Sequence, residues 1–178
     1  MFEEIYEIFK LELDGEEFDT DDDALVAANK AMRSVLTERE WKFLQTSTTF
    51  APDDLTFGSR DNFEKVIRVW YDGAELNKAE LDERFDTRFD YYIDHVTKEI
   101  MLITDFYSGK DLVVDYVSRP DDIELENEPI SVNLLNVLIA YTMGLTYFRK
   151  DQDTTIYTIL EEKRADALNE LIDFNNTL

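Results

Sequence analysis

The sequence predicts an α+β fold, with N-terminal helices, a small antiparallel or mixed β-sheet insertion, and a C-terminal antiparallel helical hairpin. Three observations predict this class. Residues 134–148 are apolar on nearly every helical face, which is typical of a buried helix. Residues 155–174 form an amphipathic helix after a short connection. Between these helices and the N-terminal ones, short β-branched and aromatic segments recur at hairpin-like spacing.

The chain divides into an N-terminal arm over residues 1–20 and a single α+β domain over residues 21–178. In the domain, the β-rich part covers about 46–117 and the helical hairpin about 130–175. Since the connection at 149–154 is short, the last two helices are predicted to run antiparallel. The 178 residues are enough for one domain with a substantial core.

The arm has a helical pattern, with apolar residues recurring at spacings of three and four along residues 2–13. Leu11 and Leu13 would suit a strand equally well. Two interpretations stay open, because the arm could pack on its own domain or dock on a partner. For the docking interpretation, the candidate partner-binding residues are apolar and lie near the two ends of the chain: Phe2, Ile5, Phe9, Phe174 and Leu178.

Two helix starts are predicted before the β-rich part. Thr20 precedes three aspartates, and such oxygen-bearing and acidic residues stabilise the free N–H groups of a helix start. Leu25, Met32 and Val35 then share one helical face. Thr37 and Glu40 have the spacing of a capping box, which predicts a second start, and a short turn containing Trp41, Phe43 and Leu44 is expected after it.

The β-rich part contains five candidate strands separated by turn signals. Asp72 and Gly73 form a strong hairpin turn signal. Residues 78–85 are predicted as a brief helix, and residues 95–99 as the turn of a second hairpin. The predicted strands cover residues 46–50, 66–70, 91–94, 100–103 and 112–117.

Composition excludes several classes of function. The chain has 41 acidic residues against 18 Lys and Arg, a formal net charge of −23. This balance argues against sequence-specific nucleic-acid binding and against docking on an anionic membrane, which both need clustered cations. Cysteine is absent, so disulfides and thiolate chemistry are excluded. The apolar helix is too short to cross a bilayer, and we expect a product made in the cytoplasm.

No catalytic, cofactor-binding or metal-binding signature is predicted. The acidic runs that begin at Asp19 and Asp151 lack the glycine that a calcium loop requires at its sixth position. His95 follows Asp94, but the pair falls in a predicted hairpin turn, where polar residues are expected in any case. Ser59 lacks the second glycine of a nucleophile elbow.

Adjacent aromatic residues indicate an interaction surface on the strands. Trp70 and Tyr71 are neighbours, as are Tyr91 and Tyr92. Because side chains alternate between the two faces of a strand, one member of each pair should point away from the core. Outward aromatic side chains favour a protein–protein surface.

The order of elements carries a family resemblance. It runs from a small-residue helix to a terminal amphipathic helix: Ala24-Leu25-Val26-Ala27-Ala28-Asn29, Glu40-Trp41, the strand at 65–71, the hairpin at 92–102, Val113-Val114-Asp115-Tyr116, Arg119-Pro120 and Leu138-Ile139-Ala140-Tyr141. Over residues of about 21 to 174, the chain resembles the head–tail connector proteins (adaptor or neck proteins) of tailed bacteriophages. The N-terminal arm and the acidity lie outside this pattern.

The resemblance implies a structural virion protein with no active site, made in the host cytoplasm. Such proteins form homo-oligomeric rings, commonly of twelve copies, between the portal protein and the tail. Implied partners are therefore the portal, a tail or second neck protein, and further copies of the chain. DNA would pass through the channel, and an acidic lining would repel its phosphates.

Two other classes of function stay open. The chain could be an acidic protein-interaction module or a DNA-mimic inhibitor, although its acids are spread from end to end. It could also be a carboxylate-based hydrolase, which requires a concave pocket with perturbed acids.

Overall fold

The computed structural model describes residues 1–13, 18–50, 56–57, 63–84, 86, 88, 90–94, 96, 99–103, 110–125, 130, 132–148 and 154–178. The chain forms two compact units. The helical unit comprises Met1–Lys42 and Pro120–Leu178, and the β unit comprises Phe43–Arg119. The helical unit therefore uses segments from both sides of the β unit in the sequence.

The described part of the helical unit contains four α-helices: α1 (Phe2–Glu12), α2 (Asp21–Thr37), α3 (Asn133–Tyr147) and α4 (Thr154–Thr177). The apolar helix α3 packs against each of the other three. Leu135, Leu138, Ile139 and Met143 are fully buried, so the prediction of a core helix is confirmed. None of the helices that the structure describes has the length and apolar character needed to cross a membrane.

Helices α3 and α4 run antiparallel, as predicted. A Cβ at Gly144 would lie 3.2 Å from Cδ1 of Leu160. Thr142 lies two residues before Gly144 on α3, and Arg164 lies four residues after Leu160 on α4. Nε of Arg164 donates a hydrogen bond to Oγ1 of Thr142 over 2.9 Å. Contacts that move back along one helix and forward along the other define an antiparallel pair.

Helix α2 begins as its sequence predicts. Oγ1 of Thr20 accepts a hydrogen bond from the backbone N–H of Asp23 over 3.1 Å. The predicted second start at Thr37 and Glu40 is wrong, because Thr37 is the last residue of α2. Its hydroxyl donates backwards to the carbonyl of Ser34 over 2.9 Å, a contact within the last turn of α2. The expected short turn forms with 3-10 geometry at Lys42–Leu44.

The β unit contains two antiparallel sheets, which confirms the first of the two predicted alternatives. The described strands are β1 (Gln45–Phe50), β2 (Thr56–Phe57), β3 (Phe63–Tyr71), β4 (Ala74–Glu75), β5 (Tyr91–Ile93), β6 (Ile100–Leu102) and β7 (Leu112–Ser118). One sheet has the order β1-β7-β3-β4 and the other β2-β6-β5. The predicted α+β class and the five predicted strands are confirmed, and 3-10 geometry at Leu81–Glu83 replaces the predicted brief helix.

Both predicted hairpins form. Asp72 and Gly73 join β3 to β4, with φ angles of 51° and 79°. Positive φ at both central residues is the geometry that Asp-Gly hairpin turns favour. In the second hairpin, β5 pairs antiparallel with β6, and Tyr92 lies opposite Met101.

The two sheets share one apolar core. Val69 of β3 and Val114 of β7 are fully buried, as is Ile100 of β6. Alternate residues of β7 supply this core, while the residues between them lie on the other face of the sheet. The buried members of the core are Phe50, Val69, Leu76, Tyr91, Ile100, Leu112, Val114 and Tyr116.

Candidate interaction surfaces

The predicted partner-binding residues on α1 lie in the core of the helical unit. Phe2, Ile5 and Phe9 are 4%, 0% and 1% exposed. The ring of Phe9 meets the edge of Tyr147 on α3, with 5.5 Å between the ring centroids. The structure therefore shows the arm as a helix packed on its own unit. A partner could reach these three side chains only after α1 left the core.

The two C-terminal candidates are more accessible. Phe174 is half-buried, and Leu178 is 59% exposed. Between them, Asn175 is buried, and its Oδ1 accepts a hydrogen bond from the backbone N–H of Lys42 over 2.6 Å. This contact fixes the end of α4 to the segment that follows α2, so Leu178 is presented from an anchored helix.

A polar cluster joins α1, α3 and α4. Lys163 forms an ion pair with Glu12, and the Tyr141 hydroxyl donates to the same carboxylate over 3.4 Å. The hydrogen bond to Glu12 raises the pKa of Lys163. Burial, and then the charge of Glu12, raises the pKa of Tyr141. In the sequence of α4, Lys163 interrupts an apolar stripe formed by Ile156, Leu160, Ala167, Leu171 and Phe174. The cluster explains this interruption, because the ammonium group of Lys163 reaches a carboxylate on another helix.

The other cation of α4 is also engaged within the helical unit. Arg164 forms an ion pair with Glu38, just beyond the end of α2. It also donates to Thr142 on α3, as described above. Both cations of α4 are therefore used to hold the helices of this unit together.

The exposed face of α4 is consequently acidic. Over residues 161–173, five exposed side chains carry carboxylates: Glu161, Glu162, Asp166, Glu170 and Asp173. Within the described residues, no three His, Cys, Asp or Glu side chains converge in the way that a metal ion would require. This acidic face of α4 is suited to a basic partner, and it repels nucleic-acid phosphates.

A second polar cluster lies on the face of the four-stranded sheet that is opposite the core. The Asp115 carboxylate on β7 accepts hydrogen bonds from Ser47 on β1 and, over 2.9 Å, from Nε1 of Trp70 on β3. Arg68 lies 3.8 Å from the same carboxylate and 5.7 Å from the centre of the Trp70 ring. We call Ser47, Arg68, Trp70 and Asp115 the Asp115 cluster. It links three neighbouring strands and holds a half-buried indole on this face of the sheet.

The aromatic pairs follow the predicted alternation. Trp70 belongs to the Asp115 cluster, while Tyr71 packs against the core of the β unit. Tyr91 is 3% exposed and Tyr92 is half-buried. Burial, assisted by the charge of Glu75, raises the pKa of Tyr91 to about 12. The role of Trp70 and Tyr92 in a protein–protein surface stays a prediction.

The residues considered for catalysis do not assemble into a described site. His95 and Ser59 lie outside the described residues. Asp94 accepts a hydrogen bond from the backbone N–H of Val96 over 2.8 Å, which is a local turn contact. Among the described residues no carboxylate is buried. The pKa of Asp86 is lowered to about 2 by its hydrogen bonds with Arg88, which keeps this acid ionised rather than poised to transfer a proton.

Comparison with known proteins found no match, either to a protein-family model or to a curated protein. Function must therefore be inferred from the fold and from the surfaces described above.

Proposed function

We propose that the protein is a structural virion protein, a head–tail adaptor that forms a ring joining the portal to the tail. The observation that carries this proposal is the order of elements. Helix α2, an inserted antiparallel β unit and a C-terminal helical hairpin follow one another, in the order that the resemblance to connector proteins implies, while α1 lies outside that pattern. The resemblance also implies a ring, commonly of twelve copies, with DNA passing through its channel.

The construction of the helical unit supports a scaffolding role. Its central helix α3 packs against the three other described helices, and ion pairs hold α1 and α4 in place. Both cations of α4 are engaged in these ion pairs, and no described carboxylate is buried. A rigid body with exposed surfaces is what a ring subunit requires.

The acidic face of α4 is a candidate for the channel lining. Its five carboxylates would repel the phosphate backbone, so that DNA could slide without binding. The net charge of −23 also makes free copies repel one another at low ionic strength. We therefore expect ring formation to need the portal as a template.

The test is co-expression with the portal protein encoded by the same genome, followed by electron microscopy of the purified complex. We expect a ring of this chain on one face of the portal. Leu178→Asp should weaken portal binding if the exposed C-terminus docks there, and Leu11→Asp, at another exposed apolar position, is the matched control. The absence of any complex with the portal, or the formation of stable rings by the free chain at low salt, would contradict the proposal.

One observation favours the alternative of an acidic interaction module or DNA mimic. The acidic face of α4 carries five carboxylates and no cation. If this face mimics DNA, the chain should displace a DNA duplex from a basic DNA-binding protein, and Glu162→Gln with Asp166→Asn should reduce the displacement. An adaptor should bind its portal with or without those two substitutions, so the two experiments separate the two functions.

A further inference from the structure

Among the strands that the structure describes, β1 is an edge strand without the usual protection. Among the described strands it pairs on one side only, with β7, in an uninterrupted register from Gln45 opposite Val117 to Phe50 opposite Leu112. Edge strands present unpaired N–H and C=O groups, and proteins usually protect them with charges, prolines or bulges. β1, with the sequence QTSTTF, contains no charge and no proline, and its pairing shows no bulge.

The opposite edge of the same sheet is protected. There, β4 is only two residues long and carries the charged Glu75. Both features prevent extended pairing with another strand. Of the two described edges of this sheet, β1 is therefore the one that can accept a further strand.

The chemistry of β1 suits a second copy of the same chain. A third of all residues in the chain are charged, and the net charge is −23. A six-residue strand is about 20 Å long, so β1 provides a neutral edge of that length. Two copies can approach there with the least repulsion. Its exposed side chains are hydroxyl or amide groups: Gln45, Thr46, Ser47 and Thr49.

We propose that β1 pairs antiparallel with β1 of a second copy and joins two four-stranded sheets into one. A two-fold axis perpendicular to the joined sheet leaves each face of the sheet on its own side. Residues that lie opposite one another must therefore point to the same face. The register centred on Ser47 meets this condition. It places Gln45 opposite Thr49 and Thr46 opposite Thr48, and pairs of hydroxyl-bearing residues stabilise neighbouring strands.

This pairing concerns the free chain and does not depend on the adaptor function. It uses the same surface on both copies, whereas a ring contact uses two different surfaces. One strand pair buries less than the roughly 1,200 Å² typical of stable complexes, so the dimer should be weak. Salt should strengthen the dimer, because it screens the repulsion between two acidic chains.

The register can be tested by sedimentation equilibrium of the free chain, at concentrations up to about 1 mM and at about 0.05 and 0.5 M salt. Wild type should dimerise, and more strongly at high salt. Gln45→Lys with Thr49→Lys places lysines opposite each other at both ends and should weaken association at least about tenfold. Gln45→Lys with Thr49→Glu places opposite charges at the same facing positions and should restore association of the two copies.

The control is Asn169→Lys with Asn176→Lys, at exposed positions on α4. Like the double-lysine β1 variant, it changes the net charge from −23 to −21. It should dimerise at least as well as wild type, because general repulsion is reduced. Thermal unfolding of every variant checks that the fold is retained. A wild type that stays monomeric at the highest concentration and salt would overturn the proposal, as would equal association of the double-lysine variant and this control.

Discussion

The indole N–H of Trp70 donates a hydrogen bond to the carboxylate of Asp115 over 2.9 Å, from one strand of the four-stranded sheet to its neighbour. Ser47 donates to the same carboxylate from the strand on the other side. The Asp115 carboxylate, in the middle of an apolar strand, therefore accepts hydrogen bonds from side chains on both neighbouring strands.

Asp115→Ala should lower the free energy of unfolding by about 1–3 kcal/mol, because it leaves the half-buried indole N–H without its acceptor. Asp115→Asn keeps an acceptor and should cost less. Urea unfolding followed by tryptophan fluorescence measures both. The control is Asp122→Ala, which removes the exposed ion pair with Arg33 and should cost at most about 1 kcal/mol. Equal losses for the two alanine variants would show that the Asp115 cluster contributes no more than a surface pair.

Phe9→Ala should destabilise the helical unit by about 3–5 kcal/mol, because Phe9 is fully buried against its neighbours. Leu11→Ala, on the same helix but 80% exposed, should change stability by less than about 0.5 kcal/mol. Chemical denaturation monitored by circular dichroism gives both values. A loss for Phe9→Ala as small as that for Leu11→Ala would mean that α1 is loosely held, and would favour the docking interpretation of the arm.

Stability should fall above pH 10 through Tyr91. Its pKa in the folded chain is about 12, above the ordinary value of 10.0. Below pH 10 the phenol is protonated in both folded and unfolded chains, so its contribution is fully present. Between pH 10 and about 12 the unfolded chain loses the proton first, and at most about 2–3 kcal/mol of stability is lost.

Denaturant unfolding at a series of alkaline pH values measures this loss. Tyr91→Phe should have a shallower decline than wild type over the same range, because it removes one of the groups that titrate. Tyr141→Phe is the comparison variant, since the pKa of Tyr141 is also raised. An unchanged slope in Tyr91→Phe would show that Tyr91 is not the responsible group.

Gly144→Ala should be close to neutral. Alanine gains about 1 kcal/mol of helix propensity over glycine, but its Cβ would lie 3.2 Å from Cδ1 of Leu160, which must shift slightly. Gly144→Val adds two more carbons at the same contact and should cost about 1–3 kcal/mol. Thermal unfolding compares the variants. Valine as stable as alanine would show that α3 and α4 are not closely packed at this point.

Most secondary structure could be predicted because local patterns determine it. The apolar character of α3, the Asp-Gly turn after β3 and the cap at Thr20 each depend on residues close together in the chain. The capping-box prediction at Thr37 also used only a local pattern, and it was wrong although Thr37 and Glu40 have the right spacing. The pattern does not show that α2 continues through Thr37, which is its last residue.

The candidate surfaces were harder to predict because they depend on contacts between distant residues. The sequence shows that Lys163 interrupts an apolar stripe, but not that Glu12 lies beside it. Likewise, an aspartate between valine and tyrosine in a predicted strand signals that Asp115 has polar partners, without naming Ser47 or Trp70. Nor does periodicity distinguish a helix packed on its own unit from one that docks elsewhere, so Phe2, Ile5 and Phe9 were open to both interpretations.

The insertion of the β unit between the two parts of the helical unit sets an order of folding during synthesis. Helices α1 and α2 leave the ribosome long before α3, their main packing partner, has been made. At roughly 5–20 residues per second, the intervening chain takes about 5–20 seconds to translate. During that interval the β unit can complete its own core, while Ile5 and Phe9 stay exposed to solvent or to chaperones.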